Sequence, residues 1–315
     1  MNLRLILIPL LTSVLIACGS AARAQDKGST NPQPLPPLAN PNDPKLDAKQ
    51  LFGRKLLPAA MPTRVIGFYA KRCIAGAEAL PINGDTWQVM RLSRNRNWGH
   101  PDLVALLERL SVKAHKDAGW PGILVGDMSQ PRGGPMITGH ASHQVGLDAD
   151  IWLTPMPNHR LSREEREDMS AVMMVRPDRL DIDPHVWTPG HLAVIRDAAQ
   201  EPRVQRIFVN PAIKKALCRE AKGDRSWLSK VRPFWGHDYH FHIRITCPPG
   251  SKQCEPQKPP SDSEGCAPSD FAYWFKDSVL HPKPPKEPPK PRVGPTLAQL
   301  PADCRAVLAA PDAKQ

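Results

Sequence analysis

Gly139-His140-Ala141-Ser142-His143-Gln144-Val145-Gly146-Leu147-Asp148-Ala149-Asp150-Ile151-Trp152-Leu153 is the stretch on which the reading of this chain turns. From Val145 to Leu153 apolar residues recur at every second position: Val145, Leu147, Ala149, Ile151 and Leu153. Successive side chains of a strand leave opposite faces, so this period puts those five on one face and Asp148 and Asp150 on the other. A strand that is apolar on one face and acidic on the other buries the first and offers the second for chemistry. A turn at Gly146 would bring His143 toward Asp150, which gives that position a backbone reason to be glycine.

A second stretch repeats the pattern. In Gly236-His237-Asp238-Tyr239-His240-Phe241-His242 and on to Ile245, Phe241, Ile243 and Ile245 alternate with His240, His242 and Arg244. This is a last strand, with both histidine rings on one face. Five of the eleven histidines fall in these two windows; purely structural histidines would be dispersed. A catalytic zinc takes three ligands from His and carboxylate and keeps one position open for water. One of His240 and His242 can bind the metal while the other stands beside the open position. For any single histidine, a hydrogen bond at a turn or strand end is an adequate explanation. For the joint pattern a metal site is the better one. No Gly-x-Ser-x-Gly elbow, phosphate loop or dinucleotide fingerprint is present, and Ser142 has no nucleophile's setting.

Outward from these motifs the chain mixes helix and strand. Leu103, Leu106, Leu107 and Leu110 form one stripe of a helix over 101–116, and Ile123-Leu124-Val125 is a short buried strand. Gln130 to Gly139 is a Gly/Pro loop. Ser162 to Glu165 is a capping box opening a helix to about Met174; Thr188-Pro189 and Asn210-Pro211 open two more. Arg206 to Val209 is a strand. Without a regular strand–helix rhythm the expected class is α+β: a single domain with a central antiparallel sheet carrying the site. The 37 prolines crowd residues 32–44 and 248–294, so 25–60 is expected to be a linker, 61–275 the folded domain, and 276–315 a Pro-rich extension.

The N-terminus is a targeting segment. Arg4 precedes an apolar run from Leu5 to Ala17, too short to span a bilayer. Ala22-Arg23-Ala24 fits a cleavage site, giving a signal peptide over 1–24; Leu15-Ile16-Ala17-Cys18 alternatively fits a lipoprotein box with an anchor on Cys18. Either route exports the chain. Setting Cys18 aside, six cysteines remain, and an even count in an oxidising compartment implies three disulfides among fifteen possible connectivities. Net charge is +11, from 42 Lys and Arg against 31 Asp and Glu. No basic run interleaved with aromatics lies in the folded part, so an acidic wall polymer is a better partner than nucleic acid. Nothing in the sequence sets the oligomeric state.

His143-x6-Asp150 followed by His240-x-His242 resembles the signature of the metallopeptidases that group lysostaphin, D-Ala-D-Ala peptidases and hedgehog-type domains. The wider text is similar to the penicillin-insensitive murein endopeptidases: Gly99-His-Pro-Asp-Leu103, Gly139-His-Ala-Ser-His-Gln144, Gly146-Leu-Asp148, Arg206-Ile-Phe-Val-Asn-Pro-Ala-Ile-Lys214 and Lys230-Val-Arg-Pro233 carry the likeness, which runs from about Ile66 to Cys304. The resemblance implies a hedgehog/D-Ala-D-Ala-peptidase-like fold and zinc-dependent cleavage of D-alanyl–diaminopimelate cross-links in peptidoglycan. His143, Asp150 and His242 would hold the zinc, His240 would act as base or transition-state stabiliser, and His237 would line the site. A second metal would draw on His140 and Asp178, with Asp181 where the family can have a histidine. The implied disulfides are Cys73–Cys304, Cys218–Cys266 and Cys247–Cys254. Rival readings are a D,D-carboxypeptidase or dipeptidase on the same site, and a non-enzymatic wall-binding module. Of the remaining residues, Arg132 is expected to be exposed or to meet a substrate carboxylate, Trp235 to wall the cleft or enter the core, and His191 to be solvated on its helix.

Overall fold

The structure is a computed structural model that describes residues 27–284 and 294–314. The targeting segment, both of its processing sites and most of the Pro/Lys run 282–292 lie outside those residues. Helix α1 (Ala48–Phe52) precedes a hairpin of β1 (Arg64–Phe68) and β2 (Lys71–Ala75). Strand β3 (Glu78–Ala79) leads to β4 (Trp87–Val89), and β5 (Trp98–Gly99) pairs back with β3. Helix α2 (Pro101–Ala118) follows, then β6 (Ile123–Val125) and β7 (Asp148–Trp152). Helices α3 (Arg163–Asp168) and α4 (Pro189–Gln200) precede β8 (Val204–Val209). Helix α5 (Pro211–Glu220), β9 (Val231–Pro233) and β10 (His240–Ile245) complete the main sheet. The short helices α6 (Pro268–Phe271) and α7 (Asp277–Leu280) and then α8 (Ala302–Ala309) close the chain.

The six-stranded sheet has the order β4-β6-β7-β10-β8-β9. Its centre is antiparallel, as expected, but both edges are parallel pairs, β4 with β6 and β8 with β9. The sheet is therefore mixed. Parallel partners need a crossover, and both crossovers contain a helix, α2 in one and α5 in the other. The class is α+β, with the sheet covered on one face by α2 and α4. Leu103, Leu106, Leu107 and Leu110 of α2 are buried against Val145, Leu147, Ala149, Ile151 and Leu153 and against Phe241, Ile243 and Ile245. The helix starts where Pro101 fits its first turn and the His100 ring accepts a hydrogen bond from the Asp102 N–H; it stops at Gly119, whose φ is +69°. With that face packed, Asp148, Asp150, His240 and His242 necessarily occupy the other.

Three expectations change. Helix α3 ends at Asp168, short of Met174, because the Arg91 guanidinium takes the carbonyls of Arg166 and Met169. His191 is buried, its ring accepting from the Thr188 N–H and lying 2.9 Å from the Leu153 carbonyl. It stacks on Trp187 at 5.1 Å between ring centres. Arg132 is also buried: it donates to the carbonyls of Val307, Leu308 and Ala310 at the end of α8 and pairs with Asp312 at 2.6 Å. A cation suits the carbonyl end of a helix, and here it ties the C-terminal segment to the Gly/Pro loop.

That tie belongs to a second, smaller core. Ala48 and Phe52, within the stretch read as a linker, pack with Ile66, Cys73, Leu300, Cys304, Val307 and Leu308. The disulfide Cys73–Cys304 runs through its middle; Cys218–Cys266 and Cys247–Cys254 close the other two pairs, the same three that the resemblance implies. Replacing Cys73 and Cys304 together by serine should lower stability by about 2–5 kcal/mol. Urea unfolding of the oxidised protein measures this, and an unchanged midpoint would show that Arg132 and the apolar contacts suffice.

Candidate metal centre

The central pair of strands builds the site. In the β7–β10 register Asp150 faces His242 and Asp148 faces Arg244. His143 arrives from the preceding loop, and the turn behind it depends on Gly146. There φ is +70°, and a Cβ would lie 2.6 Å from the Ile74 side chain and 3.1 Å from the His100 nitrogen. His143 and His237 themselves have φ of +65° and +55°. Positive φ is unfavourable for a residue with a Cβ, so both site loops hold a histidine in a strained backbone.

Asp150 is the hub. Its Oδ1 lies 3.0 Å from His242 Nδ1, 3.4 Å from His143 Nε2 and 3.8 Å from His240 Nε2. Its Oδ2 lies 3.4 Å from His140 Nε2. The His143 and His242 rings meet edge to face at 4.6 Å. Yet both ring nitrogens of His143, Nδ1 of His240, Nε2 of His242 and Oδ1 of Asp150 are buried with no aligned hydrogen-bond partner among the described residues. An unsatisfied buried polar atom costs about 1–3 kcal/mol. Donors around a tetrahedral metal at about 2.1 Å stand about 3.4 Å apart. The observed spacing and the unaligned contacts therefore fit a metal ion in the middle. Among the described residues the donor atoms of His140, His143 and Asp150 lie within 4.8 Å of one another, and His242 Nδ1 lies 3.0 Å from Asp150 Oδ1.

Electrostatics follow from burial and these neighbours. Burial works against the Asp150 charge, but His143, His240 and His140 outweigh it and hold the carboxyl well below its usual range. Burial pushes His240 down to about 4 and His237 down to about 3, so both rings are neutral at pH 7. His242 differs: burial disfavours its charge, but Asp148 and Asp150 overcome that and raise its pKa. His237 is anchored through Nδ1 to the Trp235 carbonyl at 3.1 Å and lies against His240 at 4.9 Å between ring centres. A cavity of about 30 Å³, room for one water, opens among Asp150, His240, Tyr239, Asp127 and His140.

Two carboxylates with no role assigned from the sequence support the site. Asp148 stands 3.1 Å from His242 Nε2, accepts from the His143 backbone N–H at 3.2 Å, and is gripped by Arg244 at 2.7 and 3.2 Å. It thus lies against one ring, fixes the loop of another and is itself held. Asp127 sits 3.2 Å from His140 Nε2 and is paired with Arg94 and Arg96. Asp148 had a signal, its place on the polar face of its strand; Asp127 had none, since a turn aspartate after a short strand is commonplace. Asp178 lies apart from the group of His140, His143 and Asp150: its carboxylate engages Arg176 and the Leu180 N–H and is half exposed. Asp181 pairs with Arg219 and Lys215. Trp235 is half buried, with the Arg179 guanidinium 4.6 Å from its ring centre.

Carboxylates that orient a liganding histidine typically matter 10–100-fold in affinity. Asp148→Asn should weaken metal binding by about that factor, measured by competition with a chromophoric chelator. Unchanged affinity would reduce Asp148 to a fold residue.

The family model described as penicillin-insensitive murein endopeptidase matches residues 65–309. A protein of that name from Haemophilus influenzae is 44% identical over 250 residues, covering 79% of this chain and 84% of that protein. Its namesake from Klebsiella pneumoniae is 42% identical over 251 residues, with 80% and 88% covered. The one from Pectobacterium atrosepticum is 41% identical over 251 residues. The aligned region takes in both site strands, all six paired cysteines and the small core around Cys304. The chain belongs to the penicillin-insensitive murein endopeptidase family.

Proposed function

We propose that this chain is an exported, zinc-dependent murein endopeptidase acting in the periplasm on D-alanyl–diaminopimelate cross-links. The observation that supports the reading is the grouping of His140, His143 and Asp150 donor atoms within 4.8 Å of one another, with His242 Nδ1 3.0 Å from Asp150 Oδ1. The same reading takes residues 1–24 as the signal peptide and the region from 61 to 275 as the catalytic unit.

His143, Asp150 and His242 would hold the zinc. When bound, the ion makes water nucleophilic near neutral pH and polarises the scissile carbonyl. His240, kept neutral by burial, stands 3.8 Å from Asp150 and accepts the proton of the attacking water. His237 backs that ring and, through the Trp235 carbonyl, fixes where it points. Asp148 stands beside His242 Nε2, on the side of the ring away from the Nδ1 that faces Asp150. No serine acts as nucleophile, so a β-lactam has nothing to acylate. A second metal at His140 would draw on Asp178, which would first have to release Arg176.

Dialysis against a chelator should abolish conversion of cross-linked muropeptide dimers to monomers, and zinc should restore it. Release of terminal D-alanine without loss of dimers would replace the endopeptidase reading by a carboxypeptidase. His242→Ala should lose both zinc and turnover, whereas His240→Ala should keep zinc and lose about 10²–10³-fold in rate. Zinc content and turnover measured together decide the pair; the reverse result would exchange their roles.

A further inference from the structure

One row of register partners crosses the whole site face of the sheet. Asp150 faces His242, His242 faces Phe208, and Phe208 faces Arg232. Partners in register share a face, so Arg232 lies on the same side as the metal centre, two strands away. At a strand spacing of about 4.8 Å this is about 10 Å from His242, the reach of about three extended residues. Phe208 lies between, edge to face with His242 at 5.4 Å and with Phe234 at 5.6 Å, and gives the path an apolar floor.

The row ends in a second cavity, of about 140 Å³, lined by Arg232, Lys214, Pro233, Gly265, Asp270 and Trp274. Arg232 and Lys214 both point into it. A Cβ added at Gly265 would lie 3.5 Å from Arg232 Nη1 and 4.0 Å from Lys214 Nζ. Lys214 is fully buried and gives two hydrogen bonds, to the Leu228 and Glu264 carbonyls at 2.8 and 2.6 Å. In its protonated form it carries three donors, so one N–H is then left for the cavity. Burial, with Arg232 adding to it, pushes the lysine down to about 7. Asp270 also lines the cavity; its Oδ2 accepts from the Ala267 N–H at 2.9 Å, and among the described residues it makes no ion pair with Arg232 or Lys214. Trp274 closes the wall and packs on Trp235 at 5.7 Å, next to the His237 loop.

We propose that Arg232, with Lys214 behind it, forms a carboxylate-binding subsite that holds a free carboxylate of the peptide substrate about three residues from the bond cleaved at the metal centre. The substrate identity rests on the murein reading above; the subsite itself rests on the two basic side chains, the cavity and the shared sheet face. It gives this edge of the cleft selectivity for acidic over amidated peptides.

The test uses the zinc-loaded full chain and Arg232→Gln, because Lys214 also holds two backbone carbonyls and its loss risks the fold. The substrates are a cross-linked stem-peptide dimer with free carboxylates and the same dimer amidated. Arg232→Gln should raise KM for the acid dimer about 10–100-fold, with the loss in KM rather than kcat, and Arg232→Lys should recover part of it. The amidated dimer should not distinguish wild type from variant. Calorimetric titration with the acidic stem-peptide monomer should show the same weakening. Equal effects on both dimers, or unchanged KM and monomer binding, would overturn the subsite. If wild type cleaves neither dimer, the murein reading fails by itself. Arg232-dependent binding of the acidic monomer then still sustains the subsite, and Arg232-independent or absent binding overturns it.

Discussion

The cross-strand pairing of Asp150 with His242 is the constraint on which the rest depends. Side chains alternate along a strand, so a slip of one residue in β7 or β10 would bury the site and expose the core. The apolar residues of both strands prevent this: Ala149, Ile151, Phe241, Ile243 and Ile245 must all face α2 and α4. Their burial, worth about 1.5–3 kcal/mol for each large side chain, holds in place a group of buried charges and imidazoles that is costly by itself. The site is thus built at the expense of stability and retained by the sheet beneath it.

The supports around the site follow the same logic. Asp148 shares the polar face and is neutralised by Arg244, which also lies over Tyr69 at 4.2 Å. Asp127 is neutralised by Arg94 and Arg96. Each buried carboxylate near the centre has its own arginine, which leaves Asp150 as the anion whose partners are imidazoles. Farther out, Arg132 and the Cys73–Cys304 bridge lock the C-terminal segment onto the β1–β2 hairpin. Ile74 of that hairpin and His100 at the start of α2 in turn close around Gly146.

Much of this was legible from residue order alone, and for a physical reason. Period-two alternation reports a sheet with one buried face, and histidines spaced on the other face report a site; both signals are local. The α2 stripe and the capping residues are equally local, and they gave the helices. What escaped was non-local. Arg132 sits in a Gly/Pro loop, where an arginine normally reaches solvent; its partners at 307–312 are some 175 residues away. His191 lies on a helix, and its burial depends on Leu153 and Trp187 from other elements. The parallel edges of the sheet could not be read either, because strand order is set by how crossovers pack. Asp148 was visible on the polar face but had no assigned role, since only the register shows that it backs His242.

The most direct test of the account is diffraction from zinc-loaded crystals at the zinc absorption edge. An anomalous peak within bonding distance of His143 Nε2, His242 Nδ1 and an Asp150 oxygen, with His240 beside it and unbonded, is the result the account predicts. A peak at other residues, or full hydrolytic activity in crystals with no peak in this group, would contradict it.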